Sequence, residues 1–591
     1  MRDDSASSAA PRPVWAAFDL PLDPRHRHGG RLRGSFSQPP RQELVTSDLR
    51  QVADVVAQAE AAAAAGAWVV GGLTYEAGPA WDSAQRTHRG DRPLAHFEIY
   101  DTEPGDWPAA VPSAPLNWFP AGQFTHRSPA TAIAAVLRHI AAGDCYQVNL
   151  AGRMAAVSQE ADLYPLFAAL ADRQPSGYAV YSRSAGVASV SPELFFHLSP
   201  DATVLTQPMK GTAPKEPGAA AALLNSPKDR AENLMIVDLL RNDLGRVCRP
   251  GSVSVDSLFD LVELPTVWQL VSTVSGKLAA GKGLADTFAA LFPCGSVTGA
   301  PKIRAMELIA TLEATPRGWY CGALGVIRPG GEATFNVAIR TVESRPGAVA
   351  GGHLLHCGVG SGIVADSEVE PELAEWRAKT WFLGGEPLSA LETMLLTDGR
   401  FPHGPRHRER LARTNTSLAL GIDLAAADAR LAGLAAEHPT GSFRVRLLAN
   451  AQTITTTASL APATELPLRL ALAAEPLAVE PLSAVIRHKT SWRVHYDRLR
   501  ERAGPGVFDV ICYTPEGRLT ECTWGNLALE LDGVWVTPPA DVGLLPGVER
   551  AARLEAGLLV EAEVWVHDLA RATALAFCNG TRGWCPAVLV E

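Results

Sequence analysis

Four segments in the first two thirds of the chain gather side chains able to do chemistry on an anionic small molecule. PMKGTAP, residues 208–214, sets Lys210 against glycine and threonine. SPKDRAENLMIVDLLRNDLGRVC, residues 226–248, places Glu232 on a helix whose other face carries Leu234, Ile236, Val237 and Leu240. CGSVTGAPKIRAMELI, residues 294–309, is a small-residue loop running into a helix, and such a loop turns backbone N–H groups toward an anion. GVGSGIVADSEVEPELAEWRAK, residues 358–379, is a glycine-rich turn before an acidic helix on which Glu372, Glu375 and Lys379 share one face. Taken singly, each has an ordinary reading: a glycine-rich loop is a turn, a charged helix face is solvated, and Lys210 is a surface lysine. Together they are too dense in function to be packing alone.

A second set lies beyond residue 390, in ETMLL, HRERLART, RHKTSW, LTECTWGNL, GLLPGVER and CNGTRG. Lys489 offers an amine for a Schiff base, and Glu521 an acid to keep a pyridine nitrogen protonated. Gly547 and Val548 open a helix whose amides suit a phosphate, with Arg410 and Thr581 as further donors. An amine, an acid and a phosphate cup are what pyridoxal 5'-phosphate requires. Alone, Lys489 reads as a strand lysine and Thr581 as a turn threonine; the ordered set is harder to dismiss.

These residues need elements to hold them. Helices are expected over 48–65, 133–142 and 229–240, and strands over 146–150, 177–182, 322–327 and 335–342, without a regular βαβ alternation. That pattern predicts an α+β fold. FLGGEPLSAL, residues 382–391, reads as a linker because Gly-Gly and Pro follow a charged helix. Beyond it, β-rich runs fall at 442–448, 507–513 and 527–536. Residues 1–13 read as a disordered leader.

The 591 residues suggest three or four structural units at roughly 100–200 residues each. A net charge of −10 without like-charge blocks argues against nucleic acid or an anionic membrane as partner. The longest uncharged apolar run, Ala61 to Leu73, is too short for a bilayer, which needs about 20 residues. Nine cysteines without a C-x-x-C pair fit a reducing cytoplasm and neither a zinc site nor a disulfide framework.

The runs RAENLMIVDLLRNDLGRVC and SVTGAPKIRAME make residues 14–381 resemble the chorismate-utilising enzymes, the family of anthranilate, isochorismate and aminodeoxychorismate synthases. The resemblance implies an α/β sandwich with chorismate as substrate and Mg²⁺ held by Glu232 and Glu375. It further implies that Tyr320, Arg340, Lys379 and the amides near Gly362 grip the substrate carboxylates. Gln147 stands where isochorismate-forming relatives carry a lysine base, which disfavours water addition. Lys210 stands where anthranilate synthases usually carry alanine. In aminodeoxychorismate synthases that lysine is implied to attack C2 and displace the C4 hydroxyl before ammonia displaces the lysine. Only a neutral amine attacks, so a lowered Lys210 pKa is expected from burial or nearby positive charge. Two departures stand out. Gln269 replaces the family histidine near the departing hydroxyl, and glutamine cannot hand over a proton at neutral pH. Ser296 replaces a family threonine.

From about residue 390 the chain resembles the class IV aminotransferase-like, fold-type IV pyridoxal phosphate enzymes, among them 4-amino-4-deoxychorismate lyase. Thr393 would help position substrate. The family's D-R-G-F-x-Y-G-D-G stretch before ETMLL is missing. The fusion implies two consecutive reactions in the folate pathway: amination of chorismate at C4, then loss of pyruvate to give 4-aminobenzoate. No segment resembles a glutamine amidotransferase, so ammonia is expected from a separate subunit. A homodimer through the pyridoxal phosphate domain is one assembly the resemblance allows. Two rival readings stay open: an anthranilate synthase-like half joined to an amino-acid transaminase, and a C-terminal module without chemistry.

Overall fold

A computed structural model describes residues 13–590, apart from 27–28, 109–112, 122–123, 125–127, 176, 265–266, 350–351, 386, 462 and 478–482. The leader expected over residues 1–13 thus lies almost wholly outside the described residues. The first expected helix begins as a short 3-10 turn, Leu49–Gln51, whose Asp48 cap accepts from the Arg50 amide. It continues as Val52–Ala64 and buries Val52, Val55, Val56, Ala59 and Ala63, the i, i+3, i+4, i+7 stripe of an amphipathic helix.

Two antiparallel sheets form the N-terminal part. The nine-stranded sheet runs Gly299–Ala300, Gln147–Ser158, Gly352–Ile363, Thr341–Val349, Val187–Ser191, Tyr178–Ser182, Ala16–Pro21, Arg31–Phe36, with Phe119–Ala121 added beside Gln147–Ser158. At one end of the ten-stranded sheet lie Met209–Pro214 and Val267–Lys277, and at the other Gln42–Thr46. Phe18, Tyr178 and Val180 of the first sheet pack against Trp68, Leu324 and Val326 of the second, so the inter-sheet core is a sandwich. Helices close both outer faces. Val52–Ala64, Leu284–Leu291 and Pro227–Gly245 cover the ten-stranded sheet. Tyr164–Arg173 covers the nine-stranded one, together with Pro129–Ala141, Lys302–Leu312 and Val369–Lys379. The fold is α+β.

At the junction Phe382 and Leu383 are packed into an N-terminal core, so the open turn of the 382–390 segment falls at Gly384 and Gly385. Both glycines have positive φ, which side-chain-bearing residues rarely adopt. The C-terminal part pairs a three-stranded sheet, Ala390–Thr397, Ser442–Ala449 and Ile454–Leu460, with a mixed eight-stranded sheet centred on Leu468–Leu472 and Gly583–Val590. Strand 335–342 of the sequence reading divides in two: Ala333–Val337 lies in the ten-stranded sheet and Thr341–Val349 in the nine-stranded one, with Arg340 at positive φ between them. The two parts share a core. Phe119, Ala155 and Leu354 pack with Val485, Ile486, Trp492 and Tyr496, the Phe119 and Trp492 rings 4.5 Å apart. Among the described residues no helix is long and apolar enough to cross a membrane, and all nine cysteines are free and buried.

Candidate active sites

The first site lies where the ends of the two sheets meet. Ser226 caps the Pro227–Gly245 helix by accepting from the Asp229 amide, and Pro227 fits the first turn, where its missing N–H costs nothing. Ile236, Val237, Leu240 and Leu244 fix the buried face, leaving Glu232 half-buried toward the Met209–Pro214 strand that carries Lys210. On the opposite side the Gly352–Ile363 strand pairs with Gln147–Ser158 in unbroken register, Gly362 opposite Asn149. A Cβ at Gly362 would stand 2.5 Å from Gln147 Nε2 and 3.3 Å from Lys210 Nζ. Gln147, Lys210 and Gly362 therefore converge on one point.

Lys210 Nζ donates to the Ser296 carbonyl at 3.4 Å, and Ser296 Oγ donates to Glu193 at 2.7 Å. Burial pushes the Lys210 amine below the ordinary lysine range; Lys379 pushes the same way, against the pull of Glu193, Glu232 and Glu375. Burial raises the Glu232 carboxyl, opposed mainly by Lys210. Lys379 pairs with Glu375 at 2.7 Å and donates to the Gly360 carbonyl at 2.9 Å. Gln147 is 1% exposed, and neither its Nε2 nor its Oε1 has a hydrogen-bond partner among the described residues. A buried amide left unpaired at this point marks where a polar ligand belongs. Both carboxylates also suit Mg²⁺, a hard cation that takes one or two protein carboxylates together with substrate oxygens. No cluster of three or more His, Cys, Asp or Glu side chains among the described residues is arranged to hold a metal by itself.

Other expected residues stand farther along the same surfaces. Tyr320 is buried with its ring against Gly358, where a Cβ would lie 2.2 Å from the ring. The Arg340 guanidinium lies 5.9 Å from the Phe382 ring, and burial pushes it down to about 10. Gln269 donates to the Thr212 hydroxyl at 2.7 Å, two residues along the strand from Lys210. Glu193, absent from the sequence reading, is buried beside Ser296 and Lys210. SPELFF carries no spacing signal for it. Glu372 accepts from the Ser361 hydroxyl and, at 2.6 Å, from Ser367, which pins the acidic helix to the end of the Gly352–Ile363 strand, the run expected as a glycine-rich turn.

The second site is built around Lys489. Burial, Arg410 and Arg493 push its amine down to about 7, against Glu392 and Glu521. Glu521, 3% exposed on the Leu519–Cys522 strand, accepts from Tyr496 Oη at 2.6 Å, from the Leu545 amide at 2.9 Å and from Asn526 Nδ2 at 3.3 Å. Burial raises its carboxyl to about 7. Gly547 caps the Val548–Glu555 helix, and a Cβ there would meet Asn526 Oδ1 at 2.0 Å, so a larger residue would have to displace the Asn526 side chain. Arg410 is committed: its Nε donates to Glu392 at 2.9 Å, and its Nη2 reaches the other carboxylate oxygen. His407 Nδ1 bonds the same carboxylate at 2.7 Å. Burial would raise Glu392, but Arg410 and His407 hold it at about 2. The remaining ring nitrogen, His407 Nε2, is buried without a partner among the described residues and faces Gly580, 3.0 Å from a Cβ placed there. The Thr581 amide donates to Asn579 Oδ1 at 3.0 Å. Thr393 is half-buried on the Ala390–Thr397 strand, its carbonyl 3.8 Å from the same Gly580 position. A half-buried amine of lowered pKa and a buried acid beside a glycine turn fit pyridoxal phosphate.

Comparison with known proteins agrees with this division. Residues 123–383 match the chorismate binding enzyme family, and residues 389–590 the amino-transferase class IV family. Aminodeoxychorismate synthase component 1 of Klebsiella aerogenes is 45% identical over 245 residues, 40% of this chain and 52% of that protein. Anthranilate synthase component 1 of Streptomyces coelicolor is 40% identical over 295 residues, 48% of this chain and 53% of that protein. The chain thus spans about half the length of the curated relatives it matches. The crystal structure of anthranilate synthase component I from Streptococcus pneumoniae superposes with a TM-score of 0.50 at 22% identity, over 65% of this chain and 95% of that one, and shares the fold. Residues 123–383 thus carry the likeness to the chorismate binding enzymes, and residues 389–590 the likeness to the class IV amino-transferases.

Proposed function

We propose that this chain makes 4-aminobenzoate from chorismate in two steps, amination at C4 in the N-terminal part and elimination of pyruvate in the C-terminal part. The observation that carries the reading is Lys210, a half-buried amine of lowered pKa facing Gln147 and Gly362, with Glu232, Glu375 and Lys379 acting on it. A neutral Lys210 attacks C2 of chorismate as the C4 hydroxyl leaves with the bonding pair. Ammonia then attacks C4, and the Lys210 nitrogen leaves C2 with its electrons. Glu232 and Glu375 would hold Mg²⁺, which when bound would offset the charge of the ring carboxylate. Lys379 and the amides near Gly362 hold carboxylate oxygens, and Gln147 supplies a neutral hydrogen-bonding pair. Gln269 cannot protonate the departing hydroxide, so that proton comes through water. Tyr320 and Arg340 complete the grip on the substrate anion.

In the second site Lys489 takes the C4 proton of the aminated intermediate as enolpyruvate leaves from C3, and can return a proton. Pyridoxal phosphate, when bound, supplies the sink for the electron pair left at C4. Glu521 would hold the pyridine nitrogen, and Gly547, Val548, Thr581 and the Arg410 nitrogen not spent on Glu392 would surround the phosphate, with Thr393 beside the substrate. Relatives named component 1 support a second component, and we assign it the delivery of ammonia from glutamine. Cytoplasmic location and a homodimer through the C-terminal part complete the proposal.

The similarity to an anthranilate synthase component 1 favours one alternative, amination at C2. Incubating the purified chain with chorismate, ammonium, Mg²⁺ and pyridoxal phosphate separates them: 4-aminobenzoate supports the proposal, and 2-aminobenzoate overturns it.

A further inference from the structure

Between the two parts lies a cleft with a volume of about 1070 Å³. On one side it is walled by the Val369–Lys379 helix, through Leu373, Trp376 and Arg377. That helix turns Glu375 and Lys379 to the first site, so the cleft is one helix away from it. The other end reaches Arg487 and His488, directly before Lys489, and Pro546, directly before Gly547. A pocket of this size at a domain junction suits a small molecule.

Its charge is one-sided. Among the described residues the ionisable lining is Arg153, Arg377, Arg413, Arg487 and His488, with no carboxylate. Two of these are occupied elsewhere: Arg153 donates to the Pro316 carbonyl, and Arg377 donates to the Ala419 carbonyl at 2.9 Å, tying the helix to the C-terminal part. Arg413 and Arg487 are exposed, and both act on His488, whose ring burial and these two charges push down to about 4. Among the described residues Arg487 reaches only the Asp541 carbonyl, at 3.4 Å. The pair thus presents two permanent positive charges beside a neutral imidazole, in the segment that leads directly into Lys489 along the chain.

We propose that this cleft is a transit site for the dicarboxylate intermediate, held by Arg413 and Arg487 between its release from the first site and its arrival at Lys489. The inference rests on the two-step reading above. A dicarboxylate leaving the first site meets a basic, partly enclosed space rather than bulk water, and a cleft of one sign raises the local concentration of an opposite ion.

The test uses the full chain with ring-labelled chorismate, ammonium, Mg²⁺ and pyridoxal phosphate. An excess of unlabelled aminated intermediate, prepared with the Lys489→Ala chain, is added to the solution. With transit, 4-aminobenzoate retains most of the label. In the Arg413→Glu/Arg487→Glu chain retention falls about tenfold, the lower end of electrostatic steering. Chorismate consumption and lyase kcat at saturating intermediate stay unchanged. Arg413→Lys/Arg487→Lys keeps the label. Three results overturn the proposal: full dilution of label in the native chain, equal retention after charge reversal, or a raised KM for added intermediate as the sole effect of reversal. Absence of any aminated intermediate from chorismate sinks the two-step reading instead, and this proposal with it.

Discussion

Lys210 and Lys489 are both half-buried amines below the ordinary lysine range, and each is held there by desolvation together with neighbouring cations. For Lys210 this gives an amination rate that rises with pH through the lowered pKa and levels off below the range of a free lysine, as a stopped assay of chorismate consumption across pH will read. Lys210→Ala is expected to abolish all product, while Lys489→Ala accumulates the aminated intermediate. Lys489 carries a second consequence. Folded it titrates at about 7, unfolded near 10.5, so between those values the unfolded chain binds the extra proton and stability rises with pH. Comparing denaturant midpoints of the native and Lys489→Met chains over that window should show the rise vanish in the variant. Glu392 behaves oppositely: held at about 2 against 4.5 unfolded, it stabilises above 4.5, and that contribution is lost as pH falls toward 2. Glu392→Gln leaves the Arg410 charge buried without its counter-ion, for a loss of about 3–5 kcal/mol in chemical denaturation. The sequence pointed to Arg410 as a phosphate donor. Its pairing with Glu392 was illegible there, because only strand–helix packing brings residues 392 and 410 together.

At the scale of elements, the helices were readable from periodicity and caps, whereas strand partners were not, and the run read as a glycine-rich turn is instead the end of the Gly352–Ile363 strand. Nothing local says that Gly352–Ile363 lies beside Gln147–Ser158, some two hundred positions earlier in the chain, yet that pairing alone sets Gly362 against Gln147 and Lys210. The same nonlocality hid Glu193, which has no motif and gains its place from the sandwich. The division of 335–342 into two strands was hidden for a related reason, since an apolar run does not reveal that its ends serve different sheets. Gly362→Ala tests the strand's role. Its methyl would press on the Gln147 amide and the Lys210 amine, so amination should fall more than tenfold with the melting temperature nearly unchanged, measured by steady-state kinetics beside a thermal scan. If Gly362→Ala aminates chorismate as fast as the native chain, the convergence of these three residues has no part in the reaction.

At the scale of the whole molecule, a mixture of the Lys210→Ala and Lys489→Ala chains should recover 4-aminobenzoate, because each supplies the step the other lacks. A lag is expected, since the intermediate must cross solution from one molecule to another. Continuous fluorescence of the product will show it. Cutting the polypeptide at the Gly384–Gly385 turn is a different matter from inactivating either half. Phe119, Ala155 and Leu354 are sealed by Trp492, Tyr496 and their neighbours, and Tyr496 also holds Glu521. Two separated fragments would each bare an oily face that water penalises, and the lyase fragment would lose the backing of the very phenol that steadies its acid. The halves are thus neighbours that complete one another's interiors, and neither is expected to survive alone as a well-behaved enzyme.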